Sequence, residues 1–203
     1  MSGRPGERKD QILQVLAGML ESPRAEKITT AALAANLDVS EAALYRHFAS
    51  KAQMFEGLIE FIEKTLFSLI NKLTAEETSG IRQVEGVVSL LLGFAKKNPG
   101  MTRVLIGDAL VNENDRLQIR INQLHDRLEA TLKQALRFAA GENEIAADVD
   151  ISAHANLLMC YVAGRWHQFA KSGFKRDPME YWEAQRRELF SNEAFKHVVA
   201  AAD

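Results

Sequence analysis

DVSEAALYRHFASK, residues 38–51, sets a serine on either side of one very short amphipathic segment. Ser40 is placed to be an N-cap, its hydroxyl accepting one of the orphan backbone N–H groups of the first helical turn. Val39 just outside that cap and Leu44 inside it form the pair of a hydrophobic staple. Ser50 repeats the device for the next helix, with Gln53 three residues on to complete a capping box. Upstream, Thr29 or Thr30 can cap a helix over 30–36. The following helix, over 41–49, is then reached through Leu37-Asp38-Val39-Ser40 alone, a helix-turn-helix in outline. Asp38 stands where glycine is usual in such a turn, and aspartate tolerates the left-handed region better than most residues.

Helical geometry sorts the side chains of this segment. Advancing about 100° per residue, Leu44 and Phe48 share a face and enter a core with Leu33 and Leu37. Ala42, Ala43 and Arg46 then point away from that core, with Tyr45 and His47 on the flanks. An arginine beside small alanines can approach a groove floor, while hydroxyl and imidazole groups to either side can hold phosphates. Lys51 and the N–H groups at capped helix starts add anion-binding capacity. Taken singly, Tyr45 as a core aromatic and Arg46 as a solvated charge are the plainer readings. Jointly the pattern favours double-stranded DNA.

The rest of the chain restricts the alternatives. With 203 residues and 47% apolar composition it can bury a sizeable core, and its net charge of −2 means that any basic footprint is local. Cys160 is alone, which excludes an intramolecular disulfide. The start, MSGRPGERKD, lacks the apolar region of a signal peptide, and VVSLLLGFA (87–95) is too short to span a bilayer, so a cytoplasmic protein is expected. Arg4, Arg8 and Lys9 could form a basic arm along the duplex, or a solubilising tail.

Strand signals are scarce and helical periodicity recurs throughout. Ile12, Leu13, Leu16 and Leu20 mark a first helix that breaks at Ser22-Pro23. A fourth helix spans about 51–72, TAEETSG (74–80) reads as a loop, and a helix over 81–97 stops at Asn98-Pro99-Gly100. A short helix at 101–110, a long one ending at Gly141, and helices over 151–171 and 179–199 complete the chain. The fold expected is all-α: a three-helix head with a helix-turn-helix, then a larger helical domain, about nine helices in all. The boundary falls near residue 51, dividing 1–51 from 52–203, with the helix over 51–72 shared.

His125, His154, His167 and Cys160 match no common metal spacing. No H-E-x-x-H, G-x-S-x-G or phosphate-cradling G-x-x-x-x-G-K occurs. Neither a metal, nor another cofactor, nor catalysis is expected.

ITTAALAANLDVSEAALYRHFASKAQMF (28–55) is similar to the DNA-binding signature of TetR-family regulators. That resemblance implies phosphate contacts from Thr29, Thr30, Tyr45, His47 and Lys51, with Ser40 in the same set, and base-edge contacts from Ala42, Ala43 and Arg46. It also implies a homodimer formed through the last two helices and reading a near-palindromic site, its half-sites roughly 34–36 Å apart. Ile151, Ala155, Leu158, Val162 and Phe169 form a stripe that could serve this four-helix interface or pack within the chain. Ala163-Gly164 permits close helix approach, and Trp182, Leu189 and Phe195 lie on the last helix. Many such regulators also hold a small-molecule effector in the back half.

A narrower resemblance, to the nucleoid occlusion factors of that family, is carried by VSEAALYRHFASK, MFEGLIEFIE (54–63), LLLGFAKKNPGMTRVL (90–105) and NDRLQIRINQLHDRLEATLKQ (114–134). It implies a nucleoid-associated protein that engages the division protein FtsZ when DNA-bound, through Phe61, Leu90, Gly93, Lys97 and Asn98. Two positions depart from that pattern. Leu69 stands where a basic residue is implied and Lys97 where arginine is, and the two cations are not interchangeable for bidentate contacts. The second reading is a ligand-responsive repressor with the same head.

Overall fold

The computed structural model describes residues 5–22, 28–111, 113–146 and 148–190. Among these residues there are nine α-helices and one 3-10 turn, with no strand. The helices are α1 (Pro5–Met19), α2 (Thr30–Asn36), α3 (Glu41–Tyr45), α4 (Lys51–Glu76), α5 (Gly80–Lys97), α6 (Pro99–Leu105), α7 (Asp115–Gly141), α8 (Ile151–Lys171) and α9 (Trp182–Phe190). The 3-10 turn, Asp108–Leu110, lies between α6 and α7. By compactness the chain forms two units, one from residues 1–64 with 98–121 and one from 65–97 with 122–203. No described helix is long and apolar enough to cross a membrane.

In the first unit Ile12, Leu13, Leu16 and Leu20 are buried as their spacing predicts, together with Leu33, Leu37, Leu44, Phe48, Met54, Phe55 and Leu58. Segment 98–121 joins this unit because α6 lies directly against α1. A Cβ on Gly100 would stand 1.9 Å from the carbonyl oxygen of Ala17, so only glycine fits this crossing. Arg103 completes the junction, donating to the carbonyls of Leu20 (3.4 Å) and Ser22 (3.3 Å) beyond the end of α1 and pairing with Asp108 at 2.9 Å. In the second unit α5 packs on α8. Trp166 is fully buried there, and its indole N–H donates to the Leu91 carbonyl at 3.1 Å.

Several boundaries differ from expectation. Helix α3 ends at Tyr45 rather than 49, because the next cap begins so soon. The backbone N–H of Ala49 donates to Gln53 Oε1 at 2.8 Å and that of Gln53 to Ser50 Oγ at 3.2 Å. Helix α4 runs on to Glu76 and leaves only 77–79 as a loop. Gln83 of α5 donates to the carbonyls of Thr74 (3.2 Å) and Glu77 (2.8 Å), satisfying acceptors that the end of α4 would otherwise leave open. Pro99 begins α6 instead of merely closing α5, since a first-turn residue needs no N–H partner. Arg8 and Lys9 lie within α1 and not on an extended arm. Helix α9 begins at Trp182 rather than 179; its expected end near 199, like Arg4 and Phe195, falls outside the described residues.

Candidate nucleic-acid interface

The turn between α2 and α3 is built by its own residues. Asp38 adopts φ 52°, its N–H donates to Ala35 O at 3.2 Å, and the N–H of Val39 donates to Ala34 O at 3.0 Å. These two bonds make a Schellman ending with aspartate in the position glycine usually holds. Ser40 then caps α3, accepting from the N–H of Ala43 at 3.3 Å, and Thr29 caps α2, accepting from Ala32 at 3.1 Å. Thr29 therefore takes the cap that the sequence left open between two threonines, and Thr30 is released for another contact.

That contact ties the two helices. The Thr30 hydroxyl donates to Glu41 Oε2 at 2.5 Å, and the Tyr45 phenol donates to Thr30 Oγ1 at 3.5 Å. Tyr45 is 45% exposed, so it is not a core aromatic. Leu44 and Phe48 face inward, Ala42 and Arg46 are exposed, and Ala43 and His47 are half-buried. Lys9 adds a cation over the Phe48 ring, 5.5 Å from its centroid. The row of Ala42, Ala43, Tyr45 and Arg46 combines small side chains with hydrogen-bonding groups at its edges.

Lys51 is placed differently. Its ammonium forms an ion pair with Glu113 and lies 5.6 Å from the centroid of the Phe55 ring. The sequence reading missed Glu41 and Glu113. An acidic residue in the first turn of α3 is a visible dipole partner and could have flagged Glu41. No local signal leads to Glu113, which is brought to Lys51 by tertiary packing alone.

The residues implied for a protein partner fall in both units. Phe61 of α4 and Asn98, which precedes α6, are half-buried in the first. Leu90, Gly93 and Lys97 belong to the second, where their spacing along α5 puts them on one side of that helix. Leu90 and Gly93 are half-buried and Lys97 is exposed, and a Cβ at Gly93 would meet nothing within 4 Å. The neighbouring Lys96 is engaged, pairing with Asp177 at 2.6 Å. Burial pushes the Asp177 carboxyl up. The bonds from Lys96 and the Met179 N–H, with the Lys96 and Arg165 charges, outweigh it and hold the carboxyl below its ordinary value of 3.8.

On α8 the apolar stripe is used within the chain. Ala155, Leu158, Val162 and Phe169 are buried, and Trp182 packs against Tyr161 with ring centroids 6.0 Å apart. The opposite side is open: Leu157 is 50% exposed, Cys160 is exposed, and nothing lies within 4 Å of a Cβ placed on Gly164. The His125 ring lies tilted against that of Trp166, with centroids 5.8 Å apart, and among the described residues no three His, Cys, Asp or Glu side chains gather as a metal site. A half-open cavity of about 550 Å³ lies in the second unit, walled by α4, α5 and α7 and bordered by Asn71, Thr74, Gln83, Gln134 and the partly exposed Phe138.

Comparison with known proteins adds to this geometry. Residues 25–58 match the family model of bacterial regulatory proteins, tetR family, and residues 78–194 match the SlmA-like model of the tetracyclin repressor-like C-terminal domain. The nucleoid occlusion factor SlmA of Marinomonas sp. (strain MWYL1) is 49% identical over 192 residues, covering 95% of this chain and 98% of that protein. SlmA of Alteromonas mediterranea is 53% identical over 178 residues, covering 88% and 91%. Among solved structures, the fatty acid degradation regulator FadR from Bacillus halodurans superposes with a TM-score of 0.76 at 14% identity, over 89% of this chain and 96% of that one. A TetR transcription regulator from Haloarcula marismortui gives 0.74 at 18% identity, over 93% and 97%. At such identities the structural likeness speaks for the fold alone.

Proposed function

The chain belongs to the TetR family, in its SlmA-like branch, and from that membership we propose that it is a sequence-specific DNA-binding homodimer acting as a nucleoid occlusion factor. When bound to DNA it inhibits assembly of the FtsZ ring over the chromosome, and it resides in the cytoplasm on the nucleoid. Residues 1–51 are the DNA-binding domain and 52–203 the dimerisation and regulatory domain. The observation that carries the reading is the exposed Ala42, Tyr45 and Arg46, with half-buried Ala43 beside them, on and just after a five-residue helix that is locked to α2 through Thr30 and Glu41. Arg46 reads a base edge while Tyr45 and His47 hold phosphates on either side. The dimer forms through the open side of α8 with α9, where Leu157 and Gly164 offer an apolar, closely approachable surface.

FtsZ binds, in this reading, to residues that include Leu90, Gly93 and Lys97 on α5, with Phe61 and Asn98 contributing. Lys97 is the discriminating position because Lys96 beside it is already engaged with Asp177. The test is sedimentation of FtsZ polymers with the full chain and a duplex selected from bound genomic fragments. Polymer loss is expected with the wild type and relief is expected with Lys97→Glu, which leaves DNA affinity intact. Unchanged sedimentation at saturating duplex removes the FtsZ reading while leaving DNA binding standing.

A ligand-responsive repressor is the second reading, and the cavity of about 550 Å³ favours it. It requires that a small molecule lower DNA affinity in the absence of any FtsZ effect.

A further inference from the structure

We propose that Glu113 competes with DNA phosphate for Lys51 and thereby sets the affinity of the head, an inference that rests on the DNA-binding reading above. Lys51 opens α4 directly after the Ser50 cap, at the edge of the helix-turn-helix. In the free chain its ammonium is taken by the Glu113 carboxylate, and the pair is sheltered, with side chains only 21% and 13% exposed. Salt screens a pair so placed far less than an exposed one.

Glu113 is held in position from both sides. Its backbone N–H donates to Leu110 O at 3.0 Å, closing the turn that follows the 3-10 segment. Seven residues further on, Arg120 of α7 pairs with Glu63 of α4 at 3.3 Å. Segment 113–120 is thus fastened along the first half of α4 at two points, and the carboxylate stays at the lysine without needing to search for it.

An ammonium offers three donors and one positive charge. With a fixed carboxylate in contact, Lys51 contributes little net potential to the DNA-facing surface. A phosphate arriving there gains only the difference between two anions. Removing the Glu113 charge unmasks the full cation, which increases both the affinity and the number of counterions released on binding.

The test is fluorescence anisotropy of a selected duplex across a potassium chloride series, using full-length wild type, Glu113→Gln, Lys51→Gln and the double variant. Glu113→Gln should bind about tenfold more tightly at low salt. Its slope of log affinity against log salt should steepen by about 0.9 for each lysine freed, and so about 1.8 for a dimer. In the double variant both gains should vanish. Asp115→Asn, which neutralises an exposed carboxylate two residues along, should leave the slope unchanged. Thermal unfolding checks each variant, and if Glu113→Gln does not fold, Glu113→Asp should give a smaller gain in the same direction. Equal or weaker binding by a folded Glu113 variant with an unaltered slope overturns the proposal and makes the pair a structural tie. If the wild type itself binds no duplex at low salt, the DNA-binding reading fails first, and that outcome is recognisable from the wild-type curve alone.

Discussion

The turn between α2 and α3 and the longer loop between α8 and α9 both use left-handed backbone, yet they are held differently. The first places Asp38 at φ 52° and is closed by bonds within neighbouring residues, Val39 to Ala34 and Ala43 to Ser40. The second places Gly173 and Phe174 at φ 65° and Tyr181 at φ 67°, and adds to its local bonds, such as those from the Lys175 and Arg176 N–H groups to Ser172 Oγ, side chains that come from helices. Arg165 of α8, itself buried, donates to the carbonyls of Pro178 (3.1 Å), Asp177 (2.7 Å) and Glu180 (2.8 Å). Lys96 of α5 binds the Asp177 carboxylate. Local bonding makes a structure that survives in many contexts, while a loop that adds a buried guanidinium from a neighbouring helix to its own bonds is sensitive to the loss of that residue.

The largest expected effect follows from this dependence. Arg165→Met removes the guanidinium donors and leaves the Pro178 and Glu180 carbonyls without their partner, while Asp177 O keeps the Glu180 N–H, and this should cost about 3 kcal/mol in urea unfolding. A loss under about 1 kcal/mol would mean that water replaces the guanidinium and that the two regions are less different than they look. In the head, Ser40→Ala deletes one cap among several local bonds and should cost about 1 kcal/mol, with α3 still formed. If Ser40→Ala proves as damaging as Arg165→Met, the distinction between local and imported support collapses.

The smallest effect concerns Asp177→Asn. Its partner Lys96 and its own side chain are both substantially exposed, so the ion pair is screened, and the melting temperature at neutral pH should fall by less than about 3 °C. The folded-state pKa is depressed, so this contribution is present above the ordinary carboxylate value and is lost as pH falls through the lowered one. Wild type and variant should therefore melt alike once the pH is well below 3.8. A gap that persists in acid would point to the Met179 N–H bond rather than the charge.

The same contrast governs what could be read in advance. Thr29, Ser40, Ser50 and Gln53 announce their roles because each partner lies within four residues. Leu44, Phe48, Leu33 and Leu37 announce theirs through helical period, and all four are buried. Lys51 could be recognised as a cation beside the head, but not as one already engaged, because Glu113 lies 62 residues away. The α8 stripe was equally compatible with an interface between copies and with intrachain packing, and periodicity cannot choose between them. The end of α4 was misplaced for a related reason: the amide of Gln83 that satisfies its last carbonyls comes from the next helix.

The all-helical class, the position of the helix-turn-helix and the inward and outward faces of α3 are legible in the order of the residues alone, because caps and period are properties of near neighbours. It takes long-range packing to bring Thr30 to Glu41, Lys51 to Glu113, Lys96 to Asp177 beside an exposed Lys97, and Arg165 to the carbonyls of the loop that follows α8. Each of these is a charge or hydroxyl whose partner is chosen by which distant segments pack together, and a polar group near the surface carries no periodic signature of the partner it will meet.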